Sequence, residues 1–138
     1  MSEVLGTGVD LVENARIQSM IEKWGPRFLE RVFREREREY CDRKAFPHEH
    51  YAGRFAVKEA VSKAFKTGIS PDVNWLDIEV VRDGRSGAPS VALLGRAATY
   101  ASERGVGSIL ISLAHTRHYA VATATVLAAD PRNPKGGS

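Results

Sequence analysis

The sequence predicts a single compact α+β domain in which antiparallel strands pack against helices, and three observations lead there. The run from Tyr51 to Phe65 is strongly helical. Two pairs of apolar runs, 76–81 with 90–93 and 108–114 with 119–126, are each joined by a polar turn, the pattern of antiparallel hairpins. A chain of 138 residues, 43% hydrophobic and 27% charged, holds one core and has little room for a second.

Composition narrows the function classes. The formal charge of +3 favours an anionic partner without selecting nucleic acid. The single cysteine, Cys41, cannot form an intrachain disulfide. No signal-like apolar run precedes Asp10 and Glu13, so a reducing, cytoplasmic setting is expected. No run approaches the roughly 20 apolar residues of a membrane span. The domain is expected to fill residues 1–128, leaving a Pro/Gly-rich flexible tail at 129–138.

Taken in order, residues 4–12 read as a strand, with Gly6 and Gly8 leaving room beside its even-numbered side chains. Asp10 shares that glycine-bearing face. There it either ends the strand and caps the next helix or stands as a desolvated carboxylate that needs a cation. Helical spacing begins at Glu13, with Ile17, Met20, Ile21 and Trp24 as a core stripe and Gly25-Pro26 as the stop. A second short helix surrounds Phe28, Leu29, Val32 and Phe33. Arg16, Lys23, Arg27 and Arg31 form a basic rim on these two helices. The alternating charges of 34–39 predict a solvated helix with no binding role.

A loop from Lys44 to His50 leads into the central helix, and its His48 and His50 are expected to be solvated imidazoles rather than zinc ligands. On the helix, Ala52, Ala56, Glu59 and Lys63 fall in one narrow sector, which puts an acid and a base on a small-residue surface. Arg54, Lys58 and Lys66 add positive charge suited to a polyphosphate. Gly68 is expected to close the helix. The first hairpin turns through Asp83-Gly84 and Gly87-Ala88-Pro89, a helix spans 95–104, and His115-Thr-Arg-His118 makes the last turn.

Asp10 and Glu59 are the best candidates for a hard-cation site, because Mg²⁺ is commonly held by one or two carboxylates, waters and substrate phosphates. The chain has no G-x-x-x-x-G-K-[ST] loop, no G-x-G-x-x-G after a strand, no G-x-S-x-G elbow and no C-x-x-C. The common nucleotide kinases, dehydrogenases and serine hydrolases are therefore disfavoured.

Three separated segments, Gly6-Thr-Gly-Val-Asp-Leu-Val-Glu-Asn-Ala-Arg-Ile17, Arg54-Phe-Ala-Val-Lys-Glu-Ala-Val-Ser-Lys-Ala-Phe65 with Thr67-Gly-Ile69, and Ile111-Ser-Leu-Ala-His-Thr-Arg-His-Tyr-Ala-Val-Ala122, resemble the bacterial holo-acyl-carrier-protein synthases in order and spacing. The likeness runs from about Val4 to Val126. It implies the phosphopantetheinyl transferase fold and transfer of 4′-phosphopantetheine from coenzyme A to a serine of acyl carrier protein, releasing adenosine 3′,5′-bisphosphate. It assigns Mg²⁺ to Asp10 and Glu59, and neutralisation of the attacked phosphate to Lys63. It assigns coenzyme A contacts to Arg54, His115, Thr116 and the Gly87-Ala88-Pro89 segment; Lys58, one of the cations the helix itself offers to a polyphosphate, is a candidate beside them.

The same resemblance implies a homotrimer whose sites lie between subunits, bringing His115 to Asp10 across an interface. Acyl carrier protein is acidic, and Arg16, Lys23 and Arg27 are the candidates for meeting it. Two departures bear on coenzyme A contacts: Ala88 stands where a lysine is common, and Lys66 where a glycine is common. The competing readings are a small basic nucleic-acid-binding module without catalysis and a non-catalytic trimeric scaffold. The first calls for aromatic residues displayed on the sheet, whereas these strands carry Val, Ile, Leu and Ala. No nucleic acid or membrane partner is expected.

Overall fold

A computed structural model describes residues 3–130. Strand β1 (Val4–Glu13) is followed by four helices, α1 (Asn14–Trp24), α2 (Pro26–Val32), α3 (Glu35–Asp42) and α4 (Pro47–Ala64). A 3-10 turn at Trp75–Asp77 leads into the hairpin β2 (Ile78–Arg82) and β3 (Pro89–Leu93). Helix α5 (Gly95–Glu103) and the hairpin β4 (Val106–His115) and β5 (Tyr119–Ala128) complete the chain. The α+β reading holds, with the strands divided between a three-stranded sheet ordered β1-β5-β4 and the separate β2-β3 ribbon.

Helix α4 is the centre of the molecule. Ala52, Ala56, Val57, Ala60 and Val61 are wholly buried, and its small residues let it lie directly on the sheet. Gly6 and Gly8 make that approach possible: a Cβ on Gly6 would stand 2.1 Å from the carbonyl oxygen of Ala64, and one on Gly8 2.0 Å from that of Ala60. No side chain fits there. The alternation of β5 presents Ala120, Ala122, Ala124 and Val126 to the same helix. The expected room beside the even-numbered face of β1 is therefore room for backbone.

The opposite face of the sheet is open. Val9 (57% exposed), Leu11 (65%), Leu110 and Tyr119 stand on it. No helix of the described residues is long and apolar enough to cross a membrane.

Several local expectations need correction. His48 and His50 lie in the first turn of α4, which starts at Pro47 rather than after His50; proline at the first helical position needs no amide partner. The alternating charges at 34–39 are not all solvated, because Glu37 is 1% exposed. Its carboxylate accepts from the Lys58 ammonium at 2.8 Å and from the amides of Arg34 and Val80. The residue that turns the chain after α4 in the left-handed region is Lys66 (φ 66°), with Gly68 (φ 63°) two positions on. In the first hairpin the left-handed residue is Gly87, while the expected turn former Gly84 has no such φ. At the C-terminal end, the amide of Ala129 donates to Gly105 O at 2.7 Å, so chain just past residue 128 still touches the body. Residues 131–138 of the expected tail lie outside the described residues.

Candidate active site

Asp10 and Lys63 meet where β1 runs beneath the last turn of α4. The Lys63 ammonium donates to Asp10 Oδ1 at 2.9 Å and, more weakly, to the carbonyl oxygen of Val9 at 3.3 Å. Lys63 shares a helix face with Glu59, one turn back, yet its ion pair bridges helix and strand instead. Glu59 is half-buried beside them. Burial, and then the neighbouring Asp10 charge, push its carboxyl above the usual range, opposed by Lys63 and Arg16. An acid whose ionisation is opposed by burial and by a neighbouring carboxylate, with the one ammonium beside them bonded to Asp10, makes a site short of positive charge. A hard divalent cation fits that deficit. Among the described residues no group of three or more His, Cys, Asp or Glu side chains is placed to hold a metal, so the remaining coordination would have to come from water and substrate oxygens.

A second cluster occupies the other edge of the sheet, where β4 meets the start of α4. Tyr40, His50, Gly53, Arg54, Arg82, Pro89, Leu113 and His115 line a cleft of about 360 Å³. Arg54 is 3% exposed, and its buried Nε has no hydrogen-bond partner. A buried guanidinium N–H without a partner, in a cleft of cations, is suited to an anion. The imidazoles of His50 and His115 stack edge-on with centroids 5.0 Å apart. His50 is held below the ordinary histidine range by burial, and next by His115 and nearby cations.

The sequence-derived candidates thus fall into two groups. Asp10, Glu59 and Lys63 come together, and Arg54, Pro89 and His115 come together. Gly87 sits in the loop leading to Pro89, where a Cβ would approach the Arg82 guanidinium at 3.3 Å. Thr116 follows His115, and its hydroxyl oxygen accepts from the amides of His118 and Tyr119, building the turn.

Lys58 belongs to neither group. It is 0% exposed, and its three protons go to Glu37, Trp75 O and Ile78 O at 2.7–2.9 Å. Nothing is left to offer a phosphate. Lys58 was expected among the cations suited to a polyphosphate, but Glu37 from the alternating-charge helix draws it into the core.

Of the basic rim, Lys23 and Arg27 lie over the Trp24 ring at 5.1 and 5.9 Å. A groove of about 310 Å³ runs between Met20, Trp24, Arg27, Phe28 and Arg31. Arg16 stands apart from it, over the Phe55 ring at 5.8 Å and close enough to Glu59 to oppose its pKa rise.

Sequence reasoning missed Asn14, Tyr40, Lys44, His50 and Arg82 as site residues. Asn14 is buried, and its amide group donates to Thr116 O and Arg117 O at 2.9 and 3.0 Å, tying the last turn to the end of β1. It lies inside the first of the three resembling segments, which was the available signal. Tyr40 hides in a charged run and Arg82 in a turn, and neither carries a motif.

The family model described as the 4′-phosphopantetheinyl transferase superfamily matches residues 6–124. The holo-[acyl-carrier-protein] synthase of Protochlamydia amoebophila (strain UWE25) is 46% identical over 121 residues, covering 87% of this chain and 95% of that protein. The crystal structure of the holo-[acyl-carrier-protein] synthase from Neisseria meningitidis superposes with a TM-score of 0.84 at 27% identity, covering 90% of this chain and 98% of that one. The Bacillus anthracis str. Ames holo-(acyl-carrier-protein) synthase, solved in complex with CoA (3′,5′-ADP), superposes at 0.76 with 34% identity, covering 94% and 100%.

Proposed function

Because the chain belongs to the 4′-phosphopantetheinyl transferase superfamily, we propose that it is a holo-acyl-carrier-protein synthase, moving 4′-phosphopantetheine from coenzyme A to a serine of apo acyl carrier protein for fatty acid biosynthesis. The carrying observation is the pairing of a cation-deficient acid cluster, Asp10 with Glu59, and a cationic cleft around Arg54 along one helix. A diphosphate with a separate terminal phosphate matches both charges.

In this reading the serine oxygen attacks the phosphorus that carries pantetheine, its proton passes to solvent water, and adenosine 3′,5′-bisphosphate departs as the phosphorus–oxygen bond breaks. Asp10 and Glu59 would hold Mg²⁺, which supplies charge neutralisation at the diphosphate. Lys63 stabilises the phosphate under attack, and in-line positioning does most of the remaining work. Arg54 and His115 take the terminal phosphate, with the Gly87–Pro89 loop and the Thr116 turn as walls for the adenosine.

Arg16 and Lys23 are seven residues apart on α1, hence on one face. With Arg27 they make a basic strip that starts at the Trp24 groove and ends beside Glu59. An acidic carrier helix laid on that strip would deliver its serine to the acid cluster.

The homotrimer also belongs to this proposal. Asp10 lies on the β1 edge and His115 on the β4 edge, with β5 between them, so about 10 Å of sheet separates the two strands. Val9, Leu11, Leu110 and Tyr119 give the sheet an apolar open face of the kind a second copy covers. Light scattering of the purified protein tests the assembly. For the reaction, the protein is mixed with apo acyl carrier protein, coenzyme A and Mg²⁺, and the carrier is weighed by mass spectrometry. A gain of one phosphopantetheine, abolished by EDTA, is expected, and no gain would reject the enzyme.

A further inference from the structure

Three cations surround a single aromatic ring in the cleft. The guanidinium of Arg54 lies 4.0 Å from the Tyr40 centroid, the ammonium of Lys44 4.5 Å and the guanidinium of Arg82 5.0 Å. They come from α4, from the segment before it and from the end of β2, and the Tyr40 ring of α3 lies against all three. Among the described residues none of the three forms an ion pair with a carboxylate. Like charges collected without a counter-charge are costly unless a face of electron density and an arriving anion offset them.

We propose that Tyr40 is a positioning residue, its ring arraying Arg54, Lys44 and Arg82 as a three-cation receptor for a phosphomonoester dianion, and that Arg82 is a specificity-determining ligand of that phosphate. The inference rests on the coenzyme A reading, which already places the donor's 3′-phosphate at Arg54 and His115, and it adds Tyr40 and Arg82 as the residues that shape the cleft and sharpen its preference. Arg82 pairs with Pro89 across the β2-β3 ribbon, so it stands directly beside the loop expected to flank the adenosine. Arg54 supplies the buried and unsatisfied donor, and Arg82, which is exposed, can turn toward the ligand. The phenolic hydroxyl plays no part in this arrangement; the ring does.

The test measures dissociation constants for coenzyme A and 3′-dephospho-coenzyme A by calorimetry with wild-type protein, Tyr40→Phe, Tyr40→Leu and Arg82→Ala. The wild type is expected to favour coenzyme A. Tyr40→Phe should keep that preference, while Tyr40→Leu and Arg82→Ala should each lose about tenfold of it with dephospho-coenzyme A binding unchanged. Should Tyr40→Leu fold poorly by circular dichroism, the exposed Arg82→Ala variant decides. A preference preserved in the variants overturns the receptor, as does equal weakening of both ligands or a wild type that binds both alike. Failure of the wild type to bind either ligand would instead reject the coenzyme A reading itself.

Discussion

The Lys63 ammonium holds Asp10 Oδ1 at 2.9 Å, across from helix to strand, and leaves Glu59 without a salt bridge among the described residues. Lys63 therefore neutralises one of the two acids that the proposed cation would use. Lysine and cation would share that oxygen or exchange places on it, and a lysine released from Asp10 is free to meet the phosphate.

Lys63→Ala separates these roles. Divalent binding, followed with Mn²⁺ by electron paramagnetic resonance, is expected to hold or tighten, because a competing charge has gone from Asp10. Transfer activity should fall by about 10²-fold, the scale of one lost charge stabiliser at a reacting phosphate. Loss of metal binding would make Lys63 a builder of the acid site.

Glu59→Gln keeps volume and removes charge, so activity should collapse while the fold remains. Its stability effect has a definite sign. Burial and Asp10 raise the folded-state carboxyl above its ordinary value of 4.5, so the stability linked to Glu59 is present in full below that value and is lost as pH rises through the folded pKa. At neutral pH without metal, thermal melting of Glu59→Gln should therefore match or exceed wild type, and the gap should close near pH 4. A variant that melts lower at neutral pH would assign Glu59 a structural part.

The backbone plan was legible because its signals are local. Gly6 and Gly8 mark the strand that touches backbone, and apolar runs with polar turns mark the hairpin β4-β5. The pairing of Asp10 with Glu59 was also foreseeable, since both are acids set among small or apolar neighbours. The Lys58–Glu37 pair was not. Twenty-one positions separate the two residues, and alternating charge in an isolated helix reads as solvated until the core that closes on one of its faces is known. The Tyr40 cage is hidden for a similar reason: its cations come from three elements whose meeting is a property of the tertiary fold.

Lys58→Met tests that buried pair. Burial pulls the ammonium below its ordinary range, while Glu37 opposes the shift. Removing the cation strands a carboxylate that is 1% exposed, at a cost of about 3–5 kcal/mol in denaturant unfolding. Adding Glu37→Leu should recover only part of the loss, because the amides of Arg34 and Val80 then lose their acceptor. A variant that stays fully stable and loses coenzyme A binding would return Lys58 to the ligand site.

Lys66 carries φ 66° immediately after the end of α4, where a side chain is strained and glycine is not. Lys66→Gly relieves the strain but adds freedom to the unfolded chain, so the expected net gain is about 1 kcal/mol by urea unfolding. Coenzyme A affinity should not change. A weaker affinity would show that the exposed Lys66 ammonium contributes to donor binding after all.

Asn14 joins two parts of the candidate site that the chain keeps 102 positions apart, through its bond to Thr116 O at 2.9 Å. Asn14→Ala removes both side-chain donors to the turn and leaves those carbonyls unsatisfied, costing about 1–3 kcal/mol. The kinetic signature follows from where the turn lies. On the proposed reading His115 and Thr116 serve donor binding and Asp10 serves transfer, so KM for coenzyme A should rise severalfold while kcat changes less. An equal fall in kcat with KM unchanged would mean that Asn14 acts through the β1 end, on Asp10, and not through the turn.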